Sequence, residues 1–162
     1  MKILITYYSY SGITDKVMHM YEKHLEKNDA NEINIQRLKP KEEITSFIGQ
    51  CRAAFTKKRC DLLEGIIFDA SPYDLIVIAS PVWAFAPTPA VNTFLDKLNG
   101  MSGKKAIVLL TSGSGAGVKN CFKHIKTVLE SKGVSRVGEI NIPNSKMKDE
   151  NSIISSLEKA LQ

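Results

Sequence analysis

With 162 residues, 43% of them apolar and 24% charged, the chain has the size and composition of one globular domain, spanning 1–162, that buries a core without disulfides or metal. A net charge of +5 and a pI of about 9.1 raise nucleic-acid binding, but the lysines are spread over helix faces, and the densest cluster, Lys57-Lys58-Arg59, comes with no nucleic-acid reading motif. No stretch approaches the run of about 18 to 20 apolar residues that a membrane span needs, and three cysteines without framework spacing fit a reducing compartment, so a cytoplasmic protein with neither membrane nor nucleic acid as partner is expected.

The chain opens on an apolar strand, Lys2–Tyr8, and passes through Ser9-Tyr10-Ser11-Gly12-Ile13-Thr14 into a helix whose stripe is Val17, Met18, Tyr21 and Leu25. A thinner strand, Glu32–Leu38, follows. A second helix is expected to open at Pro40 and to carry Ile44, Phe47, Ile48, Cys51 and Phe55. The third strand, Asp74–Ala79, runs into Ser80-Pro81-Val82-Trp83-Ala84-Phe85-Ala86-Pro87-Thr88. The next helix has Thr88 as N-cap, Pro89 at its first position and Val91, Phe94, Leu95 and Leu98 on its apolar face. The fourth strand, Lys105–Thr111, gives way to Ser112-Gly113-Ser114-Gly115-Ala116-Gly117. A helix marked by Val118, Cys121, Phe122, Ile125, Val128 and Leu129 then ends at Gly133. The fifth strand, Arg136–Ile142, precedes a last helix with Ile153, Ile154, Leu157 and Leu161.

Strands alternating with helical crossovers make a doubly wound parallel sheet covered on both faces. The first, third and fourth strands are nearly continuous apolar runs and belong in its middle; the second and fifth alternate and suit its edges. Such a sheet takes its ligand beyond the carboxyl ends of the strands, where strand order reverses. Three loops meet there: Ser9 to Thr14, Ser80 to Thr88 and Thr111 to Gly117. None carries a charged side chain. They describe a neutral, backbone-lined slot with an aromatic residue at its mouth.

The first loop has the chemistry of a phosphate site. Hydroxyls at Ser9, Ser11 and Thr14 join the unpaired N–H groups at a helix start, where the dipole favours negative charge, and Gly12 lets the backbone approach the ligand without a Cβ in the way. The alternative is an ordinary polar turn with a capping hydroxyl.

These residues resemble those of the flavodoxin family over nearly the whole chain. Ser9, Ser11, Gly12 and Thr14 match the family's phosphate-loop pattern, Thr/Ser-x-Thr/Ser-Gly-x-Thr. Tyr73-Asp74-Leu75-Ile76-Val77-Ile78-Ala79-Ser80-Pro81-Val82-Trp83, followed by Pro89 and Phe94-Leu95, is similar to the third strand, flavin loop and following helix of small flavodoxin-like proteins. The resemblance implies a flavodoxin-like three-layer α/β/α sandwich with a five-stranded parallel sheet of order 2-1-3-4-5. It also implies riboflavin 5′-phosphate (FMN) as cofactor and electron transfer as function. The phosphate would lie on Ser9, Ser11, Gly12 and Thr14, with Tyr10 and Ile13 of the same loop also at the cofactor. The isoalloxazine ring would lie between the loops of Ser80, Pro81, Val82, Trp83, Ala84 and Phe85 and of Thr111, Ser112, Gly113, Gly115 and Gly117, with Trp83, and Tyr10 or Phe85, against it. Partners would be redox proteins or NAD(P)H, and the molecule a monomer or homodimer. An NAD(P)H-dependent FMN-containing reductase of quinones or other small acceptors is the alternative. The chain departs from the electron carriers in its basic pI and in a third loop without an aromatic residue.

Other residues have plainer readings. Trp83 can cap the sheet end against the following helix. Gly113, Gly115 and Gly117 lack the G-x-G-x-x-G spacing of a dinucleotide loop. Cys51 and Cys121 lie on apolar stripes, and with Cys60 they lack the C-x-x-C spacing of an iron–sulfur site. His19, His24 and His124 are expected as solvated or capping helix residues, and no catalytic triad or metal set emerges, so a bound flavin would carry the chemistry.

Overall fold

The computed structural model describes residues 1–46, 48–49, 52–53, 56 and 58–162. Five strands, β1 (Lys2–Tyr7), β2 (Glu32–Arg37), β3 (Leu75–Pro81), β4 (Lys105–Ser112) and β5 (Arg136–Pro143), form one parallel sheet in the order β2-β1-β3-β4-β5. The apolar runs β1, β3 and β4 occupy the middle and the alternating strands the edges, because only a strand covered by helices on both faces must be apolar at every position. The sheet is longer at its carboxyl end than the sequence suggests. β3 pairs through Pro81 with Thr111, and β5 through Pro143 with Ser112. A proline at the last ladder position breaks no bond further along the strand.

The helices α1 (Ile13–Leu25), α2 (Pro89–Lys97), α3 (Val118–Ser131) and α4 (Glu150–Leu161) cover the two faces. Side chains alternate across each strand, so neighbouring residues feed different cores. Ile3, Ile5, Val77, Ile107 and Leu109 meet Val17, Met18 and Tyr21 of α1 and Ile153 and Leu157 of α4. Leu4, Ile76, Ile78, Val108 and Leu110 meet Val91, Phe94 and Leu95 of α2 and Cys121, Ile125 and Leu129 of α3. Each such side chain, fully buried, contributes about 1.5–3 kcal/mol. Tyr21 donates its hydroxyl to the Ile153 carbonyl at 2.9 Å, tying α1 to α4. Thr88 and Pro89 start α2 as expected, and Asp149 caps α4 by accepting from the Ser152 N–H.

The expectation for the segment after β2 is corrected in part. Pro40 does not open a helix: it bridges Leu62, with Lys41 N–H on the Asp61 carbonyl and Leu63 N–H on that of Lys39, so the local backbone is committed to an antiparallel contact. Ile48 is helical but 80% exposed. Phe47, Cys51 and Phe55 lie outside the described residues. Among those described, no helix is long and apolar enough to cross a membrane.

Candidate functional site

β1 ends at Tyr7, and the chain leaves it through Tyr8, whose N–H still reaches the Ala79 carbonyl of β3. Gly12 is the N-cap of α1 at φ +86°, a left-handed conformation that glycine adopts without strain. It brings no side chain to cap the helix, and none other does so. The first N–H groups of α1 are thereby left to a ligand. Two hydroxyls of this loop are buried and differ in their bonding. Thr14 Oγ1 lies 2.9 Å from Thr111 Oγ1, pinning the start of α1 to the end of β4. Ser9 Oγ has no partner at all, although Ser9 is only 2% exposed. A buried hydroxyl without a partner costs about 1–3 kcal/mol, and a bound oxyanion would supply what it lacks. Tyr10 and Ser11 face solvent.

The second loop is a tight hairpin. Trp83 and Ala86 exchange backbone hydrogen bonds at 3.0 and 2.9 Å around Ala84 and Phe85, which have φ of +42° and +71°. Two successive left-handed residues match a type I′ turn, which ordinarily takes Asn-Gly; alanine and phenylalanine hold it under strain. The turn presents Phe85 to solvent and packs its backbone over Gly117, the left-handed N-cap of α3. Trp83 makes near-perpendicular ring contacts with two tyrosines, Tyr8 at 5.7 Å and Tyr10 at 5.9 Å between ring centroids. Tyr8 reaches Glu43 with its hydroxyl at 2.8 Å; burial first, and the carboxylate second, push that phenol above its ordinary range, so it keeps its proton.

Ser80, expected in a loop, is buried in β3 one residue before its end, and Thr111, expected as the end of the fourth strand, is buried in β4 one residue before its end. Ser80 Oγ donates to the Pro81 carbonyl and accepts from the Thr88 N–H. Ser112 Oγ donates to Asn141 Oδ1 at 3.1 Å. Together the three loops enclose a cleft of about 140 Å³ lined by Tyr10, Ser11, Ile13, Thr14, Pro81, Val82, Trp83, Thr111, Ser112, Gly113 and Asn144. Ten of these eleven are residues the sequence singles out. Ser9 and Ser80 are buried, Gly12 caps α1, and Ala84, Phe85, Gly115 and Gly117 shape the turns around the cleft without lining it. No lining side chain is charged.

Sequence reasoning missed two residues. Asn144 follows β5, whose carboxyl end opens on the same edge as the other strands; strand order was the available signal. Arg37, the last residue of β2, donates to the Ser9 carbonyl at 2.9 Å and to Asp15 at 3.3 Å, and nothing in the sequence pairs these positions. Of the histidines, His19 lies 2.8 Å from Glu22 and His24 3.3 Å from Glu158. Among the described residues no group of three or more His, Cys, Asp or Glu is placed to hold a metal ion.

A flavodoxin family model matches residues 2–153. A flavoprotein from Lactobacillus acidophilus NCFM, solved in complex with FMN, is 25% identical and superposes over 93% of this chain and 98% of its own with a TM-score of 0.66. Oxidised flavodoxin 1 from Bacillus cereus is 15% identical over 98% of each chain with a TM-score of 0.62. An azoreductase from Bacillus anthracis strain Sterne is 16% identical over 98% of this chain and 96% of its own, also at 0.62. No curated protein matches the sequence. The last two structures speak to fold alone. With its sheet order, its carboxyl-edge cleft and a family match over nearly its whole length, the chain belongs to the flavodoxin family.

Proposed function

We propose that this protein binds FMN in the cleft at the carboxyl edge of the sheet and transfers electrons between protein partners. The observation that carries the reading is the partnerless buried hydroxyl of Ser9 beside the uncapped start of α1. A phosphate answers both deficits at once, and the FMN-bound relative from Lactobacillus acidophilus supports the choice of ligand. In this reading the backbone N–H groups at the start of α1 and the hydroxyls of Ser9 and Ser11 hold the phosphate. The strand ends Pro81, Val82, Thr111 and Ser112, with Gly113, form the walls against the ring. Trp83, packed perpendicular to Tyr8 and Tyr10, is the aromatic side of the slot. Bound FMN supplies the redox chemistry; the chain binds it, orients it and excludes charge from its surroundings. We place the molecule in the cytoplasm as a single domain, a reading supported by its length and by three cysteines without the spacing of a disulfide framework.

One observation favours a second reading, an NAD(P)H-dependent reductase of small acceptors. The wall formed by Thr111, Ser112 and Gly113 has no aromatic residue, which leaves space on that side for a flat second substrate. Two measurements test the pair. FMN should bind the cofactor-free protein at least about a hundredfold more tightly than riboflavin, since each hydrogen bond to a charged phosphate oxygen contributes about 1.5–3 kcal/mol. Equal affinities would refute the phosphate site. Anaerobic addition of NADH or NADPH to the FMN-loaded protein should leave it oxidised; reduction at catalytic rates would replace the carrier reading with the reductase.

A further inference from the structure

The phosphate loop carries no basic side chain of its own, yet a guanidinium from the sheet edge is bound to its backbone. Arg37 ends β2 opposite Tyr7. Its Nη2 donates to the carbonyl of Ser9 at 2.9 Å, and its Nη1 donates to Asp15 Oδ1 at 3.3 Å. The same Asp15 oxygen accepts the hydroxyl of the buried Tyr7 at 2.8 Å.

Two consequences follow from elementary geometry and charge. In a trans peptide the C=O and the following N–H point in opposite directions. With the Ser9 carbonyl turned to Arg37, the Tyr10 N–H is turned away from it, and the Ser9–Tyr10 peptide cannot rotate without breaking a charge-assisted bond. Asp15 lies in the first turn of α1, so its carboxylate sits at the helix end where an anion would bind. Unanswered, that charge would repel a phosphate; Arg37 and Tyr7 answer it.

We propose that Arg37 is a positioning residue for the cofactor phosphate: it locks the Ser9–Tyr10 peptide with one arm and neutralises Asp15 with the other, without itself touching the ligand. The inference rests on the reading of the cleft as an FMN site. It separates from a simple attraction between opposite charges by its need for two arms. The planar fork of arginine spans Ser9 and Asp15 together, whereas the single ammonium of lysine provides charge without the fork.

The test compares cofactor-free wild type with Arg37→Ala, Arg37→Lys and Arg37→Gln, each titrated with FMN and with riboflavin by flavin fluorescence quenching, alongside thermal unfolding without ligand. Arg37→Ala should weaken FMN about tenfold, the loss of one charge-assisted interaction acting through the backbone, and leave riboflavin affinity unchanged. Arg37→Lys should fail to restore FMN binding. Arg37→Gln, which suits an edge strand and carries no charge, gives the same comparison if the alanine variant does not fold. Unchanged FMN affinity, an equal loss for both ligands or full rescue by lysine overturns the role of Arg37 while the cofactor site stands. A wild-type chain that holds riboflavin as tightly as FMN overturns the site itself, and Arg37 with it.

Discussion

Replacing Gly117 by alanine should damage the protein more than the same change at Gly12, although both glycines are left-handed N-caps, at φ +79° and +86°. The backbone penalty for a side chain in that conformation is about 1–2 kcal/mol and applies to both. The surroundings differ. A Cβ on Gly12 meets no atom within 4 Å, whereas one on Gly117 would lie 2.5 Å from Phe85 Cα, 2.6 Å from its Cδ1 and 2.9 Å from its Cγ. The first of these clashes is with the Phe85 main chain, and no rotamer change relieves it. Overpacking of this kind adds about 1–3 kcal/mol. Gly12→Ala should therefore cost about 1–2 kcal/mol and Gly117→Ala about 2–5 kcal/mol. At this chain length about 2–4 °C of Tm accompanies each kcal/mol, so the two variants should separate by several degrees in thermal and urea unfolding followed by circular dichroism. Adding Phe85→Ala to Gly117→Ala removes the clashes with the ring and keeps the one with the main chain, so recovery should be partial. Equal destabilisation by the two glycine variants, or complete recovery with Phe85→Ala, would refute the reasoning.

The Thr14–Thr111 pair should behave as a unit: Thr14→Val or Thr111→Val alone strands a buried hydroxyl and costs about 1–3 kcal/mol, and the double variant should cost less than the sum. Additive losses in a double-mutant cycle would show that the two hydroxyls are not bonded. Burial pushes the thiols of Cys60 and Cys121 above the ordinary value of 9.0, so their neutral forms contribute stability that is complete below that value and declines as pH rises through it. Iodoacetamide at pH 8 should label half-buried Cys60 well before Cys121, and Cys121→Ser should lower stability by about 1 kcal/mol or more, as site-resolved mass spectrometry and urea unfolding will check.

The fold was legible because its signals are local and repeated. An apolar run such as Leu75 to Ala79 has one stable place, the middle of a sheet covered on both sides, and the alternating Ile33 and Ile35 have another, at its edge. The stripes of α1 and α3 likewise name their own buried faces. The segment after β2 misled because an apolar spacing that suits a helix does not reveal that Pro40 pairs with Leu62, twenty-two positions away in sequence. Such a commitment is made by the distant partner residue and leaves no mark on local periodicity.

At the site the division is sharper. Sequence by itself determined the kinds of group at the carboxyl edge: hydroxyls and a glycine before the first helix, an aromatic in the second loop, small residues in the third. Those identities follow from steric and charge rules that act within a few residues. Tertiary structure alone decided which of the hydroxyls are free. Thr14 is bonded to Thr111, Ser112 to Asn141, and Ser80 to its own loop, while Ser9 in the first loop and Thr88 in the second are buried without a partner for their hydroxyls. It also decided that Arg37, on an edge strand, grips the Ser9 carbonyl and Asp15 across the loop, and that Phe85 lies over Gly117. Hydrogen bonds and van der Waals contacts fall away within a few ångströms, so they depend on which residues the fold makes neighbours, and chain distance says nothing of that.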